Sequence, residues 1–526
     1  MRVELRDALE FLYVDSVVSR SPRRSMAVDV PRGGTGSFHV LLCGLSIGKA
    51  VRFAIRKNGR VVRNAEWFRL VDVPVEKNTG PVLGVEKRGE RNPFVIRRAP
   101  FRVYDAMEPV QGSVQAVSPT MALRVHLPAG RGKAGQREYR VEIQHEKETH
   151  TLSFCMNVHR PVVPGIGKDS FFLTHFYNLG NVADRHGLRP WSEPHWRMIR
   201  RYADLMAHAR QNTFRVALND IFTKRGKALS LDRNRLRRFV RLFSDAGMYY
   251  IEGGHLAGKS GNPWKATKFD LGLSGLPATS AEGNASLAGI TRQLMREIER
   301  NGWQKRWIQH VADEPLDPSA TDFRILVGMV RKYMPGLPLL DATQTREPVG
   351  SVDIWCPQLQ EYQKHRRHFE AQRALGDRVW FYNCLEPGGP WLNRHLDGEL
   401  LRPTLFGWGA ARFRLEGYLH WALNYYRPHQ DPFKLSVIEH HSGLSLPAGE
   451  THIVYPGPDG PWSSLRLEAQ REGFEDYELL RRLRAQNEES ATRIIRRVIR
   501  GFDKYTKRVR TFRSARRDML EALARD

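Results

Sequence analysis

A repeating strand-then-helix rhythm over the middle and C-terminal parts constrains this chain most. Short runs rich in β-branched and aromatic residues recur at 171–177, 213–218, 248–252, 306–312, 337–342, 352–356, 378–384 and 417–423. Amphipathic helices lie between several of them. The stretch 193–209 places Trp196, Ile199, Tyr202, Ala203 and Met206 on one face, and Asp232 caps a helix that buries Leu236, Phe239, Val240 and Phe243. Eight strands that each return through a helix predict a closed parallel (β/α)8 barrel, with an open parallel sheet as the alternative.

Ahead of this rhythm the texture is different. Residues 26–160 carry short β-rich runs at 38–42, 68–73, 121–125 and 139–143, separated by Gly, Pro and charged turns, which predicts an all-β sandwich. Two prolines and two glycines make 160–167 a linker without regular structure. The expected organisation is a sandwich domain at 1–160, a barrel domain at 161–485 and a basic helical extension at 486–526. The connection 256–284, which holds Trp264 and Phe269, is long for a βα loop and reads as a lid or binding loop.

Composition narrows the partners. The chain has 41% hydrophobic residues, enough to bury large cores, and no run approaching the roughly 20 apolar residues of a membrane helix. No secretory signal is visible, and Cys43, Cys155, Cys356 and Cys384 are scattered without CxxC spacing. They read as free thiols of a reducing compartment, so the expected location is cytoplasmic. The net charge of +26 raises nucleic-acid binding, but residues 481–526 set 15 Lys/Arg against 6 Asp/Glu and interleave the basic residues with Ile494, Ile495, Val498, Ile499 and Phe502. That spacing reads as a helix with a solvated basic face, so neither nucleic acid nor membrane is an expected partner.

The chemistry of a barrel sits at the C-terminal ends of its strands. Here those ends carry Asn178, Asn219, Asp220, Glu252, His255, Asp313, Glu314, Gln344, Trp355, Tyr382, Asn383, Trp421 and Asn424. Amides and carboxylates suit sugar hydroxyls, and aromatic faces suit the apolar side of a pyranose ring. A phosphate ligand fits less well, since no GxxxxGK[ST] loop and no GxGxxG fingerprint follows a strand.

Asp313 and Glu314, followed by Pro315, form the sharpest feature. Proline lacks an N–H for the ladder, so both acids should emerge at the barrel mouth. Retaining glycosidases with a protein nucleophile hold two carboxyls about 5–5.5 Å apart on opposite sides of the sugar. Neighbours on one strand end approach from the same side. They suit substrate-assisted hydrolysis, in which Glu314 is the acid/base and Asp313 orients a 2-acetamido group that attacks the anomeric carbon. A bland alternative has both acids merely capping the next helix.

These residues resemble glycoside hydrolase family 123. The resemblance is carried by Asp313-Glu314, by Val379-Trp380-Phe381-Tyr382-Asn383-Cys384, by Gly417-Tyr418-Leu419-His420-Trp421 and by Ser464-Leu465-Arg466-Leu467-Glu468 with Arg471-Glu472-Gly473-Phe474-Glu475-Asp476-Tyr477. It covers about 171–484 and implies a sandwich followed by a (β/α)8 barrel, with β-N-acetylgalactosaminidase-type activity through the 2-acetamido group. The segment 471–477 reads independently as a helix that closes the barrel, with Phe474, Tyr477 and Leu480 on its apolar stripe.

Further expectations concern the sugar. Trp355, Trp391 and Trp421 are candidate platforms, and Tyr382 is the candidate donor to the acetamido oxygen. Asn178, Asn219, His255, Asn383 and Asn424 are candidate hydroxyl ligands. His255 and His310 lack a cluster at ligand spacing in sequence, so no metal and no cofactor is expected. Two alternatives stand beside this reading: a hydrolase of sugars lacking the acetamido group, with Glu252 or Glu386 as a distant nucleophile, and a non-catalytic carbohydrate-binding protein.

Overall fold

The structure is a computed structural model and describes residues 1–525 except 227, 262–265 and 441–442. Its N-terminal part is a sandwich of two sheets. One has five strands in the order Arg2–Asp7, Thr35–Cys43, Thr120–Pro128, Glu66–Val75 and Phe101–Val110. The other is built on Ser25–Arg32, Glu148–Val162, Gly135–His145 and Ala50–Lys57. Alternating apolar residues from both inner faces meet between them, Phe38 and Phe154 with ring centroids 4.3 Å apart. Two expectations need correction here. The expected linker overlaps a strand, because Glu148–Val162 continues past Pro161 with a register irregularity between His159 and Val162. The opening residues add a strand of their own, Arg2–Asp7, which pairs antiparallel with Thr35–Cys43.

All eight expected barrel strands are present, as β1 (Phe172–His175), β2 (Thr213–Val216), β3 (Tyr250–Gly253), β4 (Trp307–His310), β5 (Leu339–Thr343), β6 (Ile354–Pro357), β7 (Arg378–Tyr382) and β8 (Gly417–His420). They form one parallel sheet whose path runs from β1 through β8, β7 and so on round to β2. At the remaining seam side-chain amides stand in for a ladder. Asn212 Oδ1 accepts from Leu173 N at 3.1 Å, and Gln211 Nε2 donates to His175 O at 3.2 Å and to Thr213 O at 2.9 Å. Inside the barrel Ile308, Leu340, Ala342, Ile354, Cys356, Trp380 and Leu419 form the inner core. Outside, a larger core lies under the helices.

The helix Leu465–Gln486 closes the barrel as its apolar stripe predicts. Phe474 stacks on Phe171 at 4.9 Å, and Arg471 binds Glu468 at 2.9 Å and Glu475 at 2.6 Å. It crosses the helix Leu401–Phe413 at a glycine contact. A Cβ on Gly407 would stand 1.9 Å from Gly473 O, so no larger residue fits.

The five-stranded sheet is covered on its second face too, by Leu396, Ala448 and Tyr455 from the barrel part. The C-terminal helix Val509–Ala522 spans the same seam. Its arginines are not simply solvated as expected: Arg513 binds Asp7 at 2.8 Å and also pairs with Glu472, Arg516 binds Asp476 at 2.8 Å, and Arg517 binds Asp29 at 2.8 Å. None of the described helices is long and apolar enough to cross a membrane.

Candidate active site

A cavity of about 370 Å³ opens at the C-terminal ends of the strands, walled by Asp313, Glu314, Tyr382 and Trp421 among others. The chain reaches it by tight passages. Strand β3 ends in Gly253 and is followed by Gly254, where a Cβ would stand 2.3 Å from Gln309 Oε1 and 3.0 Å from Ala217 Cα respectively. Only glycine lets the chain leave β3 so close to its neighbours, and the next residue is His255.

Strand β4 stops at His310, three residues short of the acids. Glu314 then adopts φ +46°, a left-handed conformation that costs a residue with a Cβ about 1–3 kcal/mol and recurs at functional sites. Its carboxylate meets Tyr382, whose hydroxyl donates to Oε1 at 2.5 Å, and Gln344 Nε2 donates to the Tyr382 oxygen at 3.4 Å. Burial, reinforced by the charge of Asp313, pushes the Glu314 carboxyl up to about 7. Asp313 by contrast has its side chain 62% exposed. Neither acid caps the next helix: Ala320–Tyr333 begins after a short turn at Asp317–Ser319, where Ser319 Oγ takes the Leu316 N–H at 3.0 Å.

Beneath the acids lies a buried charged network. His310 Nε2 meets Glu252 Oε1 at 2.5 Å, and Thr174 donates to the other oxygen of Glu252 at 2.6 Å. Burial works against a charge on His310, but the carboxylates of Asp341 and Glu252 hold its proton up to about 9. Asp341 Oδ2 accepts from Ala312 N at 3.1 Å and so fixes the segment before the acids. Glu252 is therefore bound under the floor, away from the cavity.

His255, His310 and Asp341 each bring a potential ligand atom within 4.8 Å of the others, and His255 Nε2, His310 Nδ1 and Asp341 Oδ1 have no hydrogen-bond partner. The expectation that these histidines share no cluster is thus corrected. The contact between Arg215 and His255 disfavours a cation there. Arg215 NH2 contacts His255 Nδ1 at 3.3 Å and can only donate, which leaves the His255 proton on Nε2. His310 carries a proton on each nitrogen below about 9.

The expected sugar ligands divide sharply. Glu314, Asp313, Tyr382, His255 and Trp421 line the cavity. Trp421 Nε1 donates to the buried Glu450, whose carboxyl burial would raise but His420 and His395 hold below the usual range. Trp355 points outward from β6 into the core under the helices, 5.9 Å from Phe369, and donates to Asp377 at 2.8 Å. It is no sugar platform. Trp391 packs against the same core. Asn383 is fully buried between Asn393 and Tyr418, with contacts of 2.6 Å to each. Asn178 and Asn424 bind one another through the backbone of Asn178 at 2.8 and 3.1 Å, and Asn178 caps the helix Leu179–Arg185. Asn219 sits exposed on the short helix Leu218–Ile221. None of these four lines the cavity. Of the long 256–284 connection, Phe269 is buried against Phe323 at 6.1 Å, while Trp264 lies outside the described residues.

Several lining residues escaped the sequence reading: Phe176, Lys259, Cys384, His440 and Leu446. Arg215, beside the cavity, had a signal. It stands between the buried Phe214 and Val216 in a strand with apolar residues on both sides, and an inward arginine there needs a polar site to face. Lys259, His440, Leu444 and Leu446 come from the connections that follow β3 and β8, which periodicity does not place.

A barrel with acids at the ends of its strands is a common frame for glycoside hydrolysis. The family model described as glycoside hydrolase 123, catalytic domain, matches residues 176–483, and the chain belongs to that family. Its enzyme class is thereby glycosidase. A solved family 123 glycoside hydrolase from Clostridium perfringens, described for glycolipid glycan hydrolysis, has a similar fold at a TM-score of 0.75, with 12% identity over 100% of this chain and 97% of that one. Bacteroides uniformis beta-glucuronidase 3 is far less alike, with a TM-score of 0.33 and 10% identity over 86% of this chain and 51% of that one. Among curated proteins none matches the sequence.

Proposed function

We propose that this glycosidase removes 2-acetamido sugars, of the β-N-acetylgalactosaminide type, by a retaining mechanism in which the substrate supplies the nucleophile. The observation that carries the reading is the contrast between two neighbouring acids. Glu314 is drawn into the cavity and holds its proton up to about 7, while Asp313 stands exposed beside it. A proton donor and a charged orienting group are what the chemistry asks of them.

In the first step the acetamido oxygen attacks the anomeric carbon while Glu314 gives its proton to the glycosidic oxygen. The C–O bond to the leaving group breaks and a cyclic oxazolinium ion forms. Asp313 holds the acetamido N–H and offsets the positive charge that develops there. Water then adds to the anomeric carbon as Glu314 takes a proton from it, and the acetamido group is restored. Tyr382 has one hydroxyl proton and in the free enzyme spends it on Glu314, so its contact to the acetamido oxygen requires that bond to switch.

The reading in which a distant carboxylate is the nucleophile retains one candidate, Glu386, which lines the cavity and accepts from Gln358 at 2.7 Å. Burial raises its carboxyl, which disfavours the ionised form a nucleophile needs. Aryl β-galactosides with and without the 2-acetamido group separate the two. Turnover confined to the acetamido substrate, with strong inhibition by a thiazoline mimic of the intermediate, is expected. Equal turnover of both would overturn the proposal. The glycolipid glycans of the Clostridium perfringens relative are the first natural substrates to try.

A further inference from the structure

Around the cavity mouth, four consecutive strand ends form a chain of contacts that ends on Asp313. Phe176 follows β1, Arg215 lies in β2, His255 follows β3 and Asp313 follows β4. Arg215 lies over the Phe176 ring with its Cζ 4.4 Å from the centroid, and its NH2 contacts His255 Nδ1 at 3.3 Å. The His255 ring is held further by an edge contact to His310 at 4.5 Å.

A guanidinium has no lone pair, so Nδ1 must accept. Burial, with the charges of His310 and Arg215, keeps the imidazole neutral, and its single proton therefore sits on Nε2. That nitrogen is buried without a hydrogen-bond partner, and Oδ1 of Asp313 stands 3.7 Å from it.

We infer that His255, locked by Arg215, is a positioning residue that presents an N–H to Asp313 Oδ1 and leaves Oδ2 for the acetamido group of the substrate. The inference rests on the substrate-assisted reading above. An exposed carboxylate on its own rotates freely and offers either oxygen in many directions. Attack by the acetamido oxygen requires one orientation, and a donor that claims one carboxylate oxygen selects it. At 3.7 Å the contact is longer than a hydrogen bond, and it shortens when substrate draws Asp313 inward, as catalytic contacts commonly do. His255 thus acts through Asp313 and does not itself touch the sugar. Glu314, Lys259 and Asp341 all feel the charge of Asp313, so a pH profile does not isolate the histidine.

The test uses the full chain with His255→Leu and His255→Gln, measured for kcat/KM on an aryl N-acetylgalactosaminide and for thiazoline inhibition. Glutamine places an amide N–H near the position of Nε2–H, whereas leucine keeps bulk alone. Expected is a loss of about 10- to 100-fold in kcat/KM for leucine, matched by weaker thiazoline binding, with most of both restored by glutamine. Equal behaviour of the two variants, or wild-type kinetics in the leucine variant, would overturn the inference. Should leucine at this position prevent folding, Arg215→Met removes the lock and keeps the imidazole, and it must show the same paired losses. If the wild-type protein does not turn over 2-acetamido glycosides, the underlying reading falls. If it does, and Asp313→Asn is severe while His255→Leu is silent, only the role of His255 falls.

Discussion

Two regions of this molecule bury many charges, and they treat them in opposite ways. At the seam between sandwich and barrel two fully buried arginines are held by several hydrogen bonds each. Arg466 is fully buried and binds Asp105 at 2.8 Å, while its remaining N–H groups go to the carbonyls of Arg394, Gly449 and His452. Arg124 likewise meets His39, His126 and the carbonyl of Ala8. At the barrel mouth the same residue types are left with open valences: His255 Nε2, His310 Nδ1 and Asp341 Oδ1 have no hydrogen-bond partner, and Glu314 holds a proton an ordinary carboxyl would have lost. Satisfied networks fix one structure, and unsatisfied ones beside a cavity are free to do work on a ligand.

The contrast can be broken first at Glu314. Glu314→Gln removes the movable proton and keeps the shape, so kcat should fall by at least about 10²–10⁴-fold while the thermal midpoint stays near wild type. Steady-state kinetics with a melting curve checks both halves.

The seam should show the reverse. Arg466→Met strips the partner from buried Asp105 and is expected to cost about 3–5 kcal/mol of stability, read as a lower urea midpoint, with kcat little changed in the protein that remains folded. Loss of activity without loss of stability would contradict the division of labour.

A gentler probe is pH. Glu314 must be protonated to act and its carboxyl is raised to about 7, so kcat/KM should decline as pH climbs through that value. Asp313 contributes to the raised value, so in Asp313→Asn the decline should begin at lower pH in whatever activity persists. A limb that does not move would separate the two acids.

The smallest expected effects distinguish two tryptophans. Trp421→Ala should raise KM about tenfold through lost stacking, while Trp355→Phe should leave KM unchanged and lower the melting temperature by a few degrees as core packing and the bond to Asp377 are lost. Substrate titrations on the two variants decide it.

Much of the frame could be read in advance. Glycine, proline and the 2- and 3.6-residue periods mark roughly where strands and helices lie, and all eight barrel strands overlap the expected runs, three of them ending one residue beyond. Asp232 is the cap it promised to be, accepting from Arg235 N at 2.9 Å. The opening strand Arg2–Asp7 was legible too, since Val3 and Leu5 alternate with polar residues, yet so short a run is readily passed over. At the site, adjacency brought Asp313 and Glu314 to one wall because neighbours in sequence cannot be far apart in space.

The sequence by itself determined the alternation of elements, the closing helix and the pair of acids, all of them consequences of local spacing. Only the tertiary structure decided which side chains face the cavity. Strands of a parallel barrel are buried on both faces, so their sequence carries little contrast between inside and outside, and Trp355 and Trp421 look alike until the sheet is closed. The pairing of Arg215 with His255, and of Asp105 with Arg466, is likewise a product of closure, because those partners lie 40 and 361 residues apart and meet only when the whole chain has folded.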